Sequence, residues 1–189
     1  NAVLDGADAV MLSGETSVGD HPVTTVETMA RIITSTENHA LASNGSGVAT
    51  IDWDPHTRSG VIAKAAAEGA ERVDAKYVVA FTTSGDTARR MARLRGRVPL
   101  LAFTPENIVR SQLSLTWGVE TFRTVEVEHT DEMVRQVDEQ LLKIGRVAEG
   151  DLVVIIAGAP PGIPGSTNAL RIHQMGDAIN EVAPAYRRG

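Results

Sequence analysis

Three short stretches of the 189-residue chain carry residue types that could do chemistry. The first is Thr82-Thr83-Ser84-Gly85-Asp86-Thr87, four hydroxyls and one glycine in six residues, between an apolar run and a helix-forming run. Unpaired amides and the positive dipole end at a helix N-terminus attract anions, and hydroxyls add donors, so such a turn suits a phosphate. The same residues also suit plain capping, with Thr83 or Ser84 on the first helical amides and Asp86 complementing the dipole. The second stretch spans 158–168, where Gly158, Gly162 and Gly165 alternate with Pro160, Pro161 and Pro164 ahead of Ser166-Thr167-Asn168. It reads equally as a stiff loop that brings donors to a ligand or as a tight hairpin connection. The third is Ser13-Gly14-Glu15-Thr16, directly after the apolar Ala9-Val10-Met11-Leu12. Ser13 and Glu15 could be a nucleophile and its base, but a hydrolase elbow needs Gly-x-Ser-x-Gly and this chain has Leu-Ser-Gly-Glu.

Other candidates are weaker. Arg89, Arg90, Arg93, Arg95 and Arg97 place five guanidinium groups in nine residues. The net charge of −6 and the lack of an aromatic stacking platform argue against nucleic acid. A solvated helix face, or ion pairs across a subunit interface, is the better reading. The five histidines (His21, His39, His56, His129, His173) show no metal-ligand spacing and no partner motif. With no cysteine, disulfides and thiolate metal sites are excluded. At 42% hydrophobic and 22% charged the composition is that of an ordinary globular protein, and with only 4% aromatic residues its core must be aliphatic. No apolar run approaches the ~20 residues of a membrane span, and no secretory leader is evident, so the expected compartment is the cytoplasm and no membrane partner is expected.

The elements that must position these residues follow from periodicity. Ala2-Val3-Leu4 followed by Gly6 reads as the last turn of a helix with its glycine stop, and Asn1 is not an initiator Met. Together they predict a chain truncated at its amino end. Residues 9–12 read as a short strand, and Pro22 opens a helix running to about 42. Ser43-Asn44-Gly45-Ser46-Gly47 is the most linker-like stretch. Beyond it, helices at 60–73, 87–94, 105–115 and 131–144 alternate with strands at 77–81, 100–103, 119–125 and 152–157, before a last strand at 169–173. This predicts a three-layer α/β/α domain on a mostly parallel five-stranded sheet. The last strand should be antiparallel, because no helix separates it from the fourth. The domain organisation expected is a βα unit at 1–42, a linker at 43–56, the α/β domain at 57–180 and a frayed tail at 181–189.

Several of these runs resemble one family. Leu4-Asp5-Gly6-Ala7-Asp8 with Met11-Leu12-Ser13-Gly14-Glu15-Thr16 is similar to the last strand-to-helix turn of the pyruvate kinase (β/α)8 barrel. Phe81-Thr82-Thr83-Ser84-Gly85-Asp86-Thr87-Ala88, with Ala92-Arg93-Leu94-Arg95 and Pro99-Leu100-Leu101-Ala102-Phe103-Thr104, resembles the regulatory C-terminal domain of the same enzymes. Gly165-Ser166-Thr167-Asn168 is similar to the motif before that domain's final strand, and Arg110-Ser111-Gln112-Leu113 with Trp117-Gly118-Val119 is a looser fourth match. The pattern looks more like bacterial members. The resemblance implies a parent enzyme that moves a phosphoryl group from phosphoenolpyruvate to ADP. It implies Mg²⁺ and K⁺ held outside this segment, and a homotetramer in which this domain supplies one interface. It makes Thr82, Thr83, Ser84, Gly85 and Thr87 ligands of an effector's phosphate, residues 165–168 the effector loop, and Ser13, Glu15 and Thr16 the rim of an active site that is otherwise absent.

Where sugar-bisphosphate-activated members carry basic residues in the turn, this chain has Thr83 and Asp86, and its late loop lacks their Trp and Arg. That favours a monophosphate (a hexose monophosphate or AMP) over fructose bisphosphate, with Asp86 left to accept from ligand hydroxyls. One strand and one helix cannot close a barrel, so the chain alone is expected to be inactive. The alternative is a stand-alone, non-catalytic α/β module that binds a phosphorylated metabolite.

Overall fold

A computed structural model describes residues 1–42, 56–163 and 165–180, and the chain divides into two compact units, Asn1–Asp52 and Trp53–Gly189. The expected linker, but for His56, and the expected tail lie outside the described residues.

In the first unit the predicted helix end is present. The Ala7 N–H donates to Ala2 O (3.0 Å) and the Gly6 N–H to Val3 O (3.1 Å), with Gly6 at φ +84°. This is the bond pair that closes a helical turn on a left-handed glycine. The predicted strand at 9–12 does not form: no described residue pairs with it, and Met11 is 84% exposed. A strand is defined by its neighbour's ladder, and a short apolar run alone supplies none. Helix α1 (Gly14–Ser17) and helix α2 (Pro22–Ala42) complete the unit, with Pro22 at the first helical position, where its missing N–H is harmless.

The second unit runs α3 (Arg58–Arg72), β1 (Tyr77–Phe81), α4 (Asp86–Arg93), β2 (Leu100–Thr104), α5 (Asn107–Leu113), β3 (Val119–Arg123), α6 (Thr130–Lys143), β4 (Leu152–Gly158) and β5 (Thr167–Gln174). Thr57 caps α3 by accepting the Gly60 N–H at 3.1 Å. The strands lie in the order β3-β2-β1-β4-β5, parallel except for β5, which runs antiparallel to β4. The predicted α/β/α layering therefore holds.

Strand periodicity sorts the core into two layers. Val78, Ala80, Leu100, Ala102, Val154 and Ile156 face α3, α4 and α5, which present Ala63, Ala66, Ala70, Ala88, Ala92 and Leu113. Small side chains on these helices let them approach the sheet closely. Val79, Phe81, Leu101, Phe103, Val153 and Ile155 face α6, through Met133, Val134, Val137 and Leu141. The chain thus steps outward from β1 to β3 with its helices on one face, then returns across the other face through α6 to β4. The reversal falls between β1 and β4.

Two boundaries matter for function. Strand β3 stops at Arg123 rather than 125, which releases residues 124–127 as a connection to α6. Strand β5 starts at Thr167 rather than 169, which places that hydroxyl at the sheet's end.

A buried ionisable pair also joins distant segments. His173 Nε2 on β5 lies 2.7 Å from Asp138 Oδ1 on α6, both fully buried, and Asp138 Oδ2 accepts the Ala178 N–H at 3.0 Å. His173 thus has a partner that the sequence pattern, 35 residues apart, did not reveal. Burial by itself pushes the Asp138 carboxyl up. The hydrogen bond from His173, the Gly176 and Ala178 amides and the His173 charge together outweigh burial and hold it below its ordinary value. A carboxyl lowered on folding stabilises fully above its unfolded value, about pH 3.9, and the stabilisation is lost as pH falls through the folded value. Asp138→Ala is expected to lower the unfolding free energy by about 3 kcal/mol at pH 7, since it strands a buried imidazole and an amide. Urea titrations should show that deficit shrinking below pH 4, and a pH-independent deficit would refute the assignment.

Candidate functional site

A solvent-open cleft lies at the carboxyl edge of the parallel strands. It sits where the direction of strand succession reverses between β1 and β4, the place where open α/β sheets present a crevice. One wall is the turn after β1, with Thr82, Thr83, Ser84 and Thr87; another is the loop after β4, with Gly158, Gly165, Ser166 and Thr167; the third is the β3–α6 connection, with Thr124, Val125, Glu126 and Val127.

The turn is shaped from within. Gly85 adopts φ +85° as the N-cap of α4, and the Thr82 hydroxyl accepts the Gly85 N–H at 2.8 Å. No side chain caps α4, and Ser84 Oγ reaches the Asp86 N–H only at 3.4 Å. Capping by Thr83 or Ser84 is therefore not what these hydroxyls mainly do. From the outer side, Arg89 Nη1 donates to Ser84 O (3.1 Å) and Nη2 to Gln112 Oε1 (3.2 Å), bracing the turn. A Cβ built on Gly85 would lie 2.8 Å from Arg89 Nη1, the movable end of a flexible side chain, so it is the left-handed conformation that calls for glycine.

The late loop serves as hairpin and cleft wall together. Asn168 Oδ1 accepts the Ala159 N–H and Asn168 Nδ2 donates to Ala159 O, both at 2.7 Å, so this side chain ties the hairpin shut and does not line the cleft. Ser166 Oγ donates to Ile163 O at 2.6 Å, and a Cβ on Gly158 would sit 2.2 Å from that Oγ. Thr167 Oγ1 lies 2.7 Å from Thr87 Oγ1, a buried hydroxyl pair that fastens the loop to the start of α4.

Asp86 departs from expectation. Its Oδ2 pairs with Arg90 Nε one helical turn on, and it is not part of the cleft wall. At i,i+4 the arginine is the nearest cation, and the geometry is the standard helix pair. Three of the five clustered arginines are engaged within the chain: besides Arg89 and Arg90, the Arg95 guanidinium lies 4.5 Å from the centroid of Trp117. Among the described residues no Lys, Arg or His lines the cleft, and Glu126 is its one charged wall residue. Sequence reasoning missed Thr124 and Glu126, because the strand pattern ran through 125 and nothing local announced that the connection would fold over the cleft.

In the first unit Ser13, Glu15 and Thr16 build their own turn. Glu15 Oε2 accepts the Ser13 N–H at 3.0 Å, and Thr16 Oγ1 donates to Ser13 O at 3.1 Å. Hydrogen bonds from the Glu15 and Ser13 amides hold the exposed Glu15 carboxyl below its usual value, despite a small opposing effect of burial. Its bond goes to the Ser13 amide, not the hydroxyl, and a weakened base is the opposite of what nucleophile activation needs.

The fold is a three-layer α/β domain whose hydroxyl-rich turn opens onto a crevice at the sheet's switch point. Comparison with known proteins narrows the class. The family described as "Pyruvate kinase, alpha/beta domain" matches residues 60–173. The chain belongs to the pyruvate kinase family, as a C-terminal segment. Pyruvate kinase of Mycobacterium tuberculosis is 55% identical over 177 residues, and that of Corynebacterium glutamicum 51%, each match covering 94% of this chain and 36% of the relative. The chain thus spans about a third of the length of these curated relatives. The crystal structure of Cryptosporidium parvum pyruvate kinase superimposes with a TM-score of 0.72 at 27% identity, covering 92% of this chain and 34% of that one.

Gly85→Ala is expected to lower the unfolding free energy by about 2 kcal/mol, through the left-handed φ. Gly96→Ala, whose added Cβ meets nothing within 4 Å, should change it by no more than about 0.5 kcal/mol. Denaturant titration of both variants checks the contrast.

Proposed function

We infer that this chain is the effector-binding and subunit-interface segment of a pyruvate kinase, and that the parent enzyme transfers a phosphoryl group from phosphoenolpyruvate to ADP to give pyruvate and ATP. The observation that carries the reading is the cleft itself: a helix N-terminus without a side-chain cap, flanked by Thr83 and Ser84 and fastened to the late loop by the Thr87–Thr167 pair. Thr82 and Thr87 shape the site, while Thr83, Ser84 and the first amides of α4 are the groups that meet the phosphate. Gly165 and Ser166 approach it from the opposite side.

That no basic residue lines the cleft among the described residues supports a ligand with one phosphate. A helix N-terminus carries about half a unit of positive charge, enough to favour one anionic group and too little for two. A hexose monophosphate or AMP is therefore favoured over fructose bisphosphate.

Phosphoryl transfer in this family rests on divalent-metal and basic-group neutralisation of developing charge. Among the described residues no group of three or more His, Asp or Glu side chains is placed to hold a metal. The family resemblance, not that absence, is what assigns Mg²⁺ and K⁺ to other segments of the parent enzyme, and on the same reading the chain alone has no turnover. Assembly as part of a homotetramer and a cytoplasmic, glycolytic setting belong to the same reading. Among the described residues no helix is long and apolar enough to cross a membrane.

Calorimetric titration with glucose 6-phosphate and AMP is expected to give saturable binding between micromolar and low millimolar, about −8 to −4 kcal/mol. The double variant Thr83→Ala/Ser84→Ala should weaken it by about tenfold or more, as two bonds to a charged group are lost. No binding of either ligand would overturn the effector reading. Separately, a lactate-dehydrogenase-coupled assay of the chain should show no turnover, and turnover dependent on both phosphoenolpyruvate and ADP would overturn the claim of inactivity alone.

A further inference from the structure

The connection from β3 to α6 is a wall with a hollow on each side. Thr124, Val125 and Glu126 line the cleft, and the same three residues line a second hollow on the side of α6, together with Gln136 and Glu139. Gln136 takes no part in the cleft. The ends of the wall are fixed. The Thr124 N–H donates to Thr104 O at 3.1 Å, Val127 packs against the core layer under α6, and the Glu128 N–H donates to Glu132 Oε2 at 3.2 Å. Between these anchors Val125 and Glu126 are exposed, Val125 to 73%. Among the described residues one hydrogen bond holds this middle, from Gln136 Nε2 to Val125 O at 3.2 Å. The same position leaves Gln136 Oε1 buried with no partner. The desolvation penalty of an unpaired buried acceptor is at least as large as the net gain from an ordinary hydrogen bond, so the tie holds the wall only weakly.

We propose that residues 125–126 are a lid over the cleft and that Gln136 is the latch that holds it open. The latch lies on the α6 side, so the tie draws Val125 away from the cleft, and its loss lets the wall move across the opening. That movement gives up no core contact, because Val125 and Glu126 belong to neither core layer and a hollow already separates them from α6. It also lets water reach Gln136, so that both ends of the amide are satisfied. Opposed contributions of similar size make an element with two positions, which small differential contacts can bias. Thr124 and Val127, each anchored, are the hinges. The lid is a property of the wall and does not rest on what the cleft binds.

The chain has no native cysteine, so introduced ones can be labelled selectively. Glu126→Cys with Ile163→Cys places two spin labels on opposite walls of the cleft, and Val61→Cys with Ile108→Cys places a control pair on α3 and α5; all four positions are exposed. Double electron–electron resonance is expected to show a main, longer distance across the cleft and a minor, shorter one. Gln136→Glu replaces the donor by a carboxylate that repels Val125 O, and should raise the ratio of short to long at least about fivefold. Gln136→Lys keeps a donor and removes the orphaned acceptor, and should lower that ratio by about as much. The control pair should stay unchanged in both. A ratio unmoved in both variants, a shift in the same direction in both, or a control distance that moves with the cleft distance would overturn the latch. Because Gln136→Lys tightens the tie, it decides the matter even if Gln136→Glu fails to fold.

Discussion

Because β2 leaves β1 on one side and β4 returns on the other, the loops following β1 and β4 must part, and the gap between them is the cleft. That reversal is forced by where the helices can go. Right-handed crossovers carry α4 and α5 over one face as the chain moves outward, and α6 over the other as it returns. The small side chains of α3 and α4 and the larger ones of α6 suit these two faces, so the core chemistry and the position of the crevice are one decision.

A gap alone would be filled by mobile loops. Here the Thr87–Thr167 hydroxyl pair spans it and fixes the distance between the start of α4 and the start of β5. Arg89 braces the turn from outside, and Asn168 ties the late loop to its own base. The hydroxyls and glycines are therefore not interchangeable donors: Thr82, Thr87, Thr167 and Asn168 hold the frame, which leaves Thr83 and Ser84 turned to the cleft. Pre-organisation of this kind means that few groups of the cleft would have to be ordered for the anion binding proposed above.

The charge of the cleft follows from competition inside the chain. Arginines are plentiful next to the turn, yet Asp86, Gln112, Ser84 and Trp117 engage three of them, and none lines the crevice. A segment that looks basic in sequence therefore yields a cleft whose one charged wall residue is Glu126. The Asp138–His173 pair belongs to the same frame, anchoring the far end of β5 to α6 while Thr167 anchors the near end.

Local physics was legible in the sequence: strand and helix alternation, the glycine stop at Gly6, the antiparallel last strand and the hydroxyl turn after β1 all rest on contacts within a few residues. The family was legible too, because its motifs lie in such local runs. What the sequence misread depended on partners far along the chain. Residues 9–12 form an apolar run like a strand but have no ladder among the described residues, and His173 lacked a partner until α6 crossed the sheet; Asp86 is the local exception, paired with Arg90 one turn along its own helix. Sequence periodicity reports which face a residue takes, whereas only the tertiary crossover decides which distant groups share a crevice, since neither the sheet order nor the end of a strand is encoded by the residues next to it.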